Sequence, residues 1–341
     1  MLVALPFIRR SLLPLLVLAL LIGGCTGCET DPPPPVPVTP RKTYTPPPFN
    51  ADSAYAYVAR QVAFGPRVPN SAAHTATKNW LVEQLRGYGA KVIEQDFTPT
   101  TWDGKRLNST NIIGQFNPAA KRRIVLAAHW DTRGIADQDP DASRYNEPID
   151  GADDGGSGVG VLLEVARQLQ AHPIAELGVD IIFFDAEDSG KDSDEGDGDK
   201  YTDSWGMGAQ HWAKNLHVPA RQYKYGILLD MVGAKGAQFG KEGFSKQVAP
   251  KLVDNIWQLA QRMGYGQYFV NTDSGPALDD HFFVIREARI PMIDIINKDT
   301  EGFGEHWHTH GDTMEVIDKG TLRAVGQVVL ATLYRDASGA L

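Results

Sequence analysis

From about residue 51 onward, short apolar runs alternate with amphipathic stretches. The runs at 122–129 (RRIVLAAH), 179–187 (VDIIFFDAE), 226–231 (GILLDM) and 290–296 (IPMIDII) are nearly continuous. Brief apolar runs of this kind read as strands buried on both faces. Residues 90–97 and 109–116 alternate or run apolar and add two more strands. Between Asn70 and Gly89, Trp80, Leu81, Leu85 and Tyr88 share one helical face, and Gly89 supplies a stop. Val161, Leu162, Val165 and Leu169 repeat the helical spacing, as do stretches around 246–264 and from Lys319 to Tyr334. Strands alternating with helices predict an α/β fold of three layers, with helices on both faces of a mixed, mostly parallel central sheet. The sequence has no internal repeat.

The first fifty residues follow a different pattern. Arg9 and Arg10 precede the apolar segment SLLPLLVLALLIGG, which is too short for a permanent membrane span. Residues 1–24 therefore read as an export signal. Ile22-Gly23-Gly24-Cys25 resembles a bacterial lipobox, which implies cleavage before Cys25 and lipidation of its thiol. Two or three acyl chains hold a protein stably at a membrane surface. Residues 25–50 continue as a tether, with nine prolines between Asp31 and Asn50. Such a segment favours extended polyproline II and acts as a spacer. The folded catalytic domain is thus expected over 51–341, and a chain starting near Phe49 is expected to be soluble and fully active. The expected location is the bacterial cell envelope, lipid-anchored and facing the periplasm or the cell surface. Cys25 and Cys28 are the only cysteines, so the folded body has no disulfide. A net charge of −9, without a basic patch interleaved with aromatics, argues against nucleic acid as a partner.

Five metal-type side chains stand just beyond apolar runs or glycine turns: His129, Asp154, Asp188, Asp230 and His308. Ligands bind α/β sheets beyond the carboxyl ends of the strands, and imidazole and carboxylate are zinc ligands where cysteine is absent. Glu187 and Asp188 sit side by side where a strand becomes a loop. There the alternation of side-chain directions breaks down and both carboxylates can face one cavity. One then ligates a cation while its neighbour stays free as a general base or acid. Two other stretches carry weaker signals. GADDGGSG (151–158) lacks the lysine and the spacing of a phosphate loop. The acidic loop 188–203 places Gly196 where a calcium ligand belongs and Asp197 where the loop glycine belongs, so it reads as a solvated surface loop.

Taken in order, His129-x-Asp131, Gly151-Ala152-Asp153-Asp154, Glu187-Asp188, Asp230 and His308 resemble the motifs of the zinc-dependent aminopeptidase family that includes the glutaminyl-peptide cyclotransferases. The resemblance covers nearly all of 51–341. It implies one zinc per chain held by Asp154, Asp188 and His308, with Glu187 as general base and acid. Many relatives carry a second glutamate where this chain has Asp188, which reaches about one methylene less. Asp279-Asp280-His281-Phe282 and Phe303-x-x-x-Trp307-His308-Thr309 resemble the cyclotransferase versions. By that likeness Asp279 joins Asp230 in a hydrogen-bonded acidic cluster, while Trp307 and Phe303 wall a pocket for the substrate side chain. Trp205, in SWGMGAQHWA, stands as a second pocket wall, although a tryptophan found closer behind the acidic pair in some relatives is missing.

The implied activity is conversion of N-terminal glutamine of peptides or proteins to pyroglutamate with release of ammonia. Zinc would polarise the γ-carboxamide, and the tethered α-amine would attack it with the advantage of an intramolecular reaction. Glu187 would carry the proton from amine to ammonia, and like-charge neighbours Asp230 and Asp279 would share a proton. Two alternatives use the same scaffold. One is a two-metal aminopeptidase, in which His129 and Asp230 complete a second site around Asp154. The other is a non-catalytic binding lipoprotein, which the intact ligand and base positions disfavour.

Overall fold

A computed structural model of the chain describes residues 42–191 and 199–341. The signal segment, Cys25, most of the tether and residues 192–198 of the acidic, calcium-loop-like stretch lie outside the described residues.

Strands β1 (Lys91–Phe97), β2 (Ser109–Phe116), β3 (Arg123–His129), β4 (Gly178–Phe184), β5 (Tyr223–Asp230) and β8 (Met292–Ile296) form one sheet in the order β1-β2-β4-β3-β5-β8. β4, β3, β5 and β8 run parallel, whereas β2 pairs antiparallel with both β1 and β4. A smaller parallel pair comprises β6 (Phe239–Glu242) and β7 (Phe269–Gly275). The helices are α1 (Ala51–Val62), α2 (Ala72–Gly87), α3 (Gly156–Ala171), α4 (Met207–Lys214), α5 (Gly243–Val248), α6 (Pro250–Arg262), α7 (Asp280–Ala288) and α8 (Lys319–Ser338).

The continuous apolar runs are explained by two cores, one on each face of the sheet. Along β3, Ile124 and Leu126 enter the core shared with α1, α2, α3, α6 and α8. The intervening Val125 and Ala127 enter the core shared with α4 and α7. β4 divides in the same way, with Ile181 and Phe183 on one side and Ile182 and Phe184 on the other. This is the expected three-layer α/β architecture. α3 lies so close to β5 that a Cβ at Gly158 would stand 2.2 Å from the Leu229 carbonyl oxygen.

Several elements differ from expectation. The helix expected over 246–264 is two helices, broken at Ala249 (φ −140°, ψ 51°) immediately before Pro250. The proline ring disfavours helical backbone in the residue before it. α1, α4 and α7 and strands β6 and β7 were not expected. The last helix runs on to Ser338, where Gly339 closes it in the left-handed conformation.

The compact unit also starts earlier than residue 51. Phe49 is buried, with its ring against Gly326 of α8, where a Cβ would lie 2.1 Å from a ring carbon. Gln327 accepts from the Phe49 N–H at 2.8 Å and donates to the Pro47 carbonyl at 3.0 Å. Gln168 of α3 donates to the Pro48 carbonyl at 3.2 Å, and the Tyr44 N–H donates to Ser338 Oγ at 2.9 Å. Proline carbonyls still accept hydrogen bonds, and the two aromatic residues supply apolar surface. Residues 44–50, counted with the tether from sequence, therefore pack on the domain.

A chain starting at residue 42 is expected to match the full chain in thermal stability, whereas one starting at residue 51 should melt at lower temperature. Phe49→Ala should cost about 3–5 kcal/mol, the usual loss on truncating a buried phenylalanine. Urea unfolding midpoints check both outcomes.

Candidate active site

The site is assembled at the carboxyl ends of neighbouring parallel strands. His129, the last residue of β3, pairs in register with Phe184 at the end of β4, and Asp230 closes β5 opposite Ile296 of β8. β3 is followed through α3 by β4 on one side, and β5 lies on its other side. This switch in direction leaves a crevice where α/β proteins bind their ligands.

After Phe184, Ala186 turns the chain through the left-handed region (φ 56°) and delivers Glu187 and Asp188. The turn is held from both sides. Asp131 accepts the backbone N–H of Glu187 at 3.1 Å and of Asp188 at 3.2 Å. Asp185 is gripped by His74 Nε2, 2.9 and 3.0 Å from its two oxygens, and by the Thr110 N–H at 2.6 Å. Met231 (φ 47°) and His308 (φ 54°) adopt the same unfavourable backbone region. Such strain persists only where the surroundings enforce it, and it concentrates at functional sites.

Asp154, Asp188 and His308 each offer a ligand atom, all within 4.8 Å of one another and all buried. His308 Nε2 stands 3.1 Å from Asp188 Oδ1 and 3.7 Å from Asp154 Oδ2. Both carboxylate oxygens of Asp188 are buried without a hydrogen-bond partner. An orphaned carboxylate beside an imidazole and a second carboxylate fits a divalent cation, and this donor set suits zinc. The supporting groups are in place as well. Asp137 Oδ1 lies 3.1 Å from His308 Nδ1 and also accepts from Arg133 Nε at 2.9 Å. Asp312 accepts the backbone N–H groups of Asp153 (2.7 Å) and Asp154 (3.0 Å). Partners of this kind fix the tautomer and aim of metal ligands.

A second group, His129, Asp154 and Asp230, shares Asp154 with the first. Here His129 Nε2 lies 2.9 Å from Asp154 Oδ1 and 3.1 Å from Asp230 Oδ1, so the group is closed by direct contacts. A Cβ at Gly155 would stand 2.4 Å from the His129 ring, which leaves glycine as the residue that fits there.

Glu187 is buried and takes no part in either group. Burial first, and then the negative neighbours Asp188, Asp280 and Asp279, push its pKa well above the usual carboxylate range against the pull of His129. Asp230 rises to about 8, mainly by burial and then by repulsion from Asp279, despite its hydrogen bond to His129. Burial also raises Asp279. Buried carboxylates so close together cannot all ionise, and protons are shared among them. For His308, burial is outweighed by Asp188 and Asp137, and its pKa rises to about 9.

These side chains line a cavity of about 260 Å³ together with Trp205, Phe303 and Trp307. Trp307 stacks on His308 at 3.8 Å between ring centres, and Phe303 lies 4.5 Å from Trp307. Trp205 lies nearly parallel to His308 at 6.2 Å, anchored by its Nε1–H to the Lys191 carbonyl at 3.1 Å. Of the residues singled out from sequence, Asp154, Asp188, His308, Glu187, Asp230, Asp279 and the three aromatic walls reach this one cavity, whereas His129 lies behind Asp154 and Asp230 and does not line it. Sequence reasoning passed over Asp280, fully buried with neither carboxyl oxygen partnered, and over the supporting Asp137, Asp312 and His74. Asp280 sits inside the quoted Asp-Asp-His motif, so its signal was present. The other three are far away in sequence and carry no motif of their own.

The model of Peptidase family M28 matches residues 111–333. A glutaminyl-peptide cyclotransferase of Gloydius blomhoffii is 28% identical over 77% of this chain and 75% of its own length. Among solved structures, the glutaminyl cyclase of Porphyromonas gingivalis is 49% identical, covers 84% of this chain and 99% of its own, and superimposes with a TM-score of 0.81. A Zn-dependent exopeptidase from Parabacteroides distasonis is 52% identical over 85% of this chain and 99% of its own, also with a TM-score of 0.81. The chain belongs to Peptidase family M28, in which it stands beside the bacterial glutaminyl cyclases.

Proposed function

We propose that this protein is a glutaminyl-peptide cyclotransferase, an acyltransferase acting on peptides or proteins that begin with glutamine, with one zinc held by Asp154, Asp188 and His308. The observation that carries the reading is the contrast between the two candidate metal groups. His129, Asp154 and Asp230 meet one another directly at 2.9 and 3.1 Å. In the other group, His308 Nε2 meets Asp188 Oδ1 at 3.1 Å but stands 3.7 Å from Asp154 Oδ2, and Asp188 Oδ2 is buried without a hydrogen-bond partner. That asymmetry favours one cation over two. Cyclisation needs no metal-bound water, because the nucleophile is the substrate's own amine. The two-metal aminopeptidase remains the competing reading, since its three ligands are present and adjacent.

Zinc, when bound, supplies Lewis-acid polarisation of a carbonyl oxygen. Glu187, buried at the cavity wall, takes a proton from the attacking α-amine as the new C–N bond forms. It returns that proton to the departing nitrogen as the γ-carboxamide C–N bond breaks, and ammonia leaves. Its raised pKa suits a group that both accepts and returns a proton. Beside it, burial and repulsion from Asp279 raise Asp230 to about 8. Trp307, Phe303 and Trp205 wall the cavity and limit the water that could compete with the amine. The tether and a lipid at Cys25 would hold this domain at the cell envelope.

Incubation with a glutamine-initiated peptide should release one ammonia per peptide by mass spectrometry. Release of the whole first residue would instead assign the chain to the aminopeptidases. Elemental analysis of zinc-loaded, dialysed protein should find one ion per chain, and two tightly held ions would count against the proposal.

Glu187→Gln should keep its zinc and lose roughly two to four orders of magnitude in kcat, the usual contribution of general acid–base catalysis. Asp188→Asn should lose zinc and regain activity when zinc is raised. The opposite pattern would exchange the two roles.

Cys25→Ser should move the protein from the membrane fraction to the soluble fraction without changing kcat/KM. Retention in the membrane fraction would remove the lipid anchor from the reading.

A further inference from the structure

Beside Asp279 lies a buried group that the reaction above leaves unused. Asp279, His281 of α7 and Asp294 of β8 each turn a polar atom toward the others, all within 4.8 Å. Asp279 Oδ2, His281 Nδ1 and both oxygens of Asp294 are buried without a hydrogen-bond partner.

Glu242 fixes the imidazole. Its Oε1 accepts from the N–H groups of Phe244 and Ala277, both at 2.9 Å. Its Oε2 accepts from the N–H (2.7 Å) and Oγ (2.6 Å) of Ser245. Burial raises the Glu242 pKa, but His281 and Ser245 outweigh it and hold it at about 2. An ionised carboxylate can only accept from His281 Nε2, which lies 3.0 Å away. The hydrogen is therefore on Nε2. If Nδ1 were also protonated, its N–H would face Asp294 Oδ2 across 3.7 Å, beyond hydrogen-bond reach.

Asp294 thus meets acceptors and no donor among the described residues. The charged groups around it are the carboxylates of Asp279, Glu242 and Asp230, and together with burial they disfavour a further negative charge. A single proton between Asp294 and Asp279 joins one oxygen of Asp294 to the orphaned Oδ2 of Asp279.

We propose that Asp294 is held as its neutral acid and donates to Asp279, which thereby faces the cavity as a fixed anionic acceptor for the α-amine of the substrate. Asp294 is a positioning residue, because it acts through Asp279. That the amine belongs to an N-terminal glutamine rests on the cyclase reading, whereas the proton on Asp294 does not.

The test compares Asp294→Asn with Asp294→Ala in the zinc-loaded full chain. An asparagine amide mimics a protonated acid, so Asp294→Asn should keep kcat/KM close to that of the parent. Asp294→Ala removes the donor and should lower kcat/KM by about tenfold to a hundredfold, the usual range for a hydrogen bond to a charged group. The infrared difference spectrum of parent minus Asp294→Asn at neutral pH should contain the carbonyl stretch of one protonated carboxylic acid, beyond the bands of Glu187 and Asp230 that both proteins share. A folded, zinc-bound Asp294→Asn that has lost activity as severely as Asp294→Ala would overturn the proposal, as would absence of the infrared band. A second ion in the parent, lost in Asp294→Asn, would show that a cation rather than a proton fills the group. If the parent released whole residues instead of ammonia, the cyclase reading would fail while the infrared result still decided the state of Asp294.

Discussion

Carboxylates that would repel one another are buried together at a single sheet edge, and the rest of the site follows from how that repulsion is relieved. Asp154, Glu187, Asp188, Asp230, Asp279 and Asp280 are each less than about a tenth exposed. Ionised carboxylates in such surroundings are costly unless they are paired, protonated or bound to a cation. Each remedy has its own place here. Backbone N–H groups donate to Asp131 and Asp312, and imidazoles sit against Asp154, Asp185 and Asp230. The Asp188–His308 end is left for a metal. The raised proton affinity of Glu187 comes first from burial and then from the same crowding. The feature that makes the cluster expensive is thus the one that suits Glu187 to moving a proton.

Much of this was legible in the sequence, because the strands are buried on both faces and leave long apolar runs. The polar residue after each run then marks the ligand-binding edge, which is how His129, Asp188 and Asp230 were found. The break in alternation at Glu187–Asp188 is legible in the sequence, but its agent, Ala186 in a left-handed turn, has no sequence signal of its own. Short helices such as α4 and α7 escaped because eight or nine residues carry too little periodicity to stand out. The contribution of residues 44–50 was hidden by proline-rich composition, which describes a segment's stiffness but not whether its few aromatics find a partner. Asp137 and Asp312 could not be read at all, since their roles depend on folding from more than forty residues away in sequence.

Asp154 gives one oxygen to each metal group: Oδ2 lies toward His308 and Oδ1 toward His129. A single side chain therefore arbitrates between a one-ion and a two-ion centre. A second ion would need no new ligand here; it would need His129, Asp154 and Asp230 to give up their direct contacts with one another.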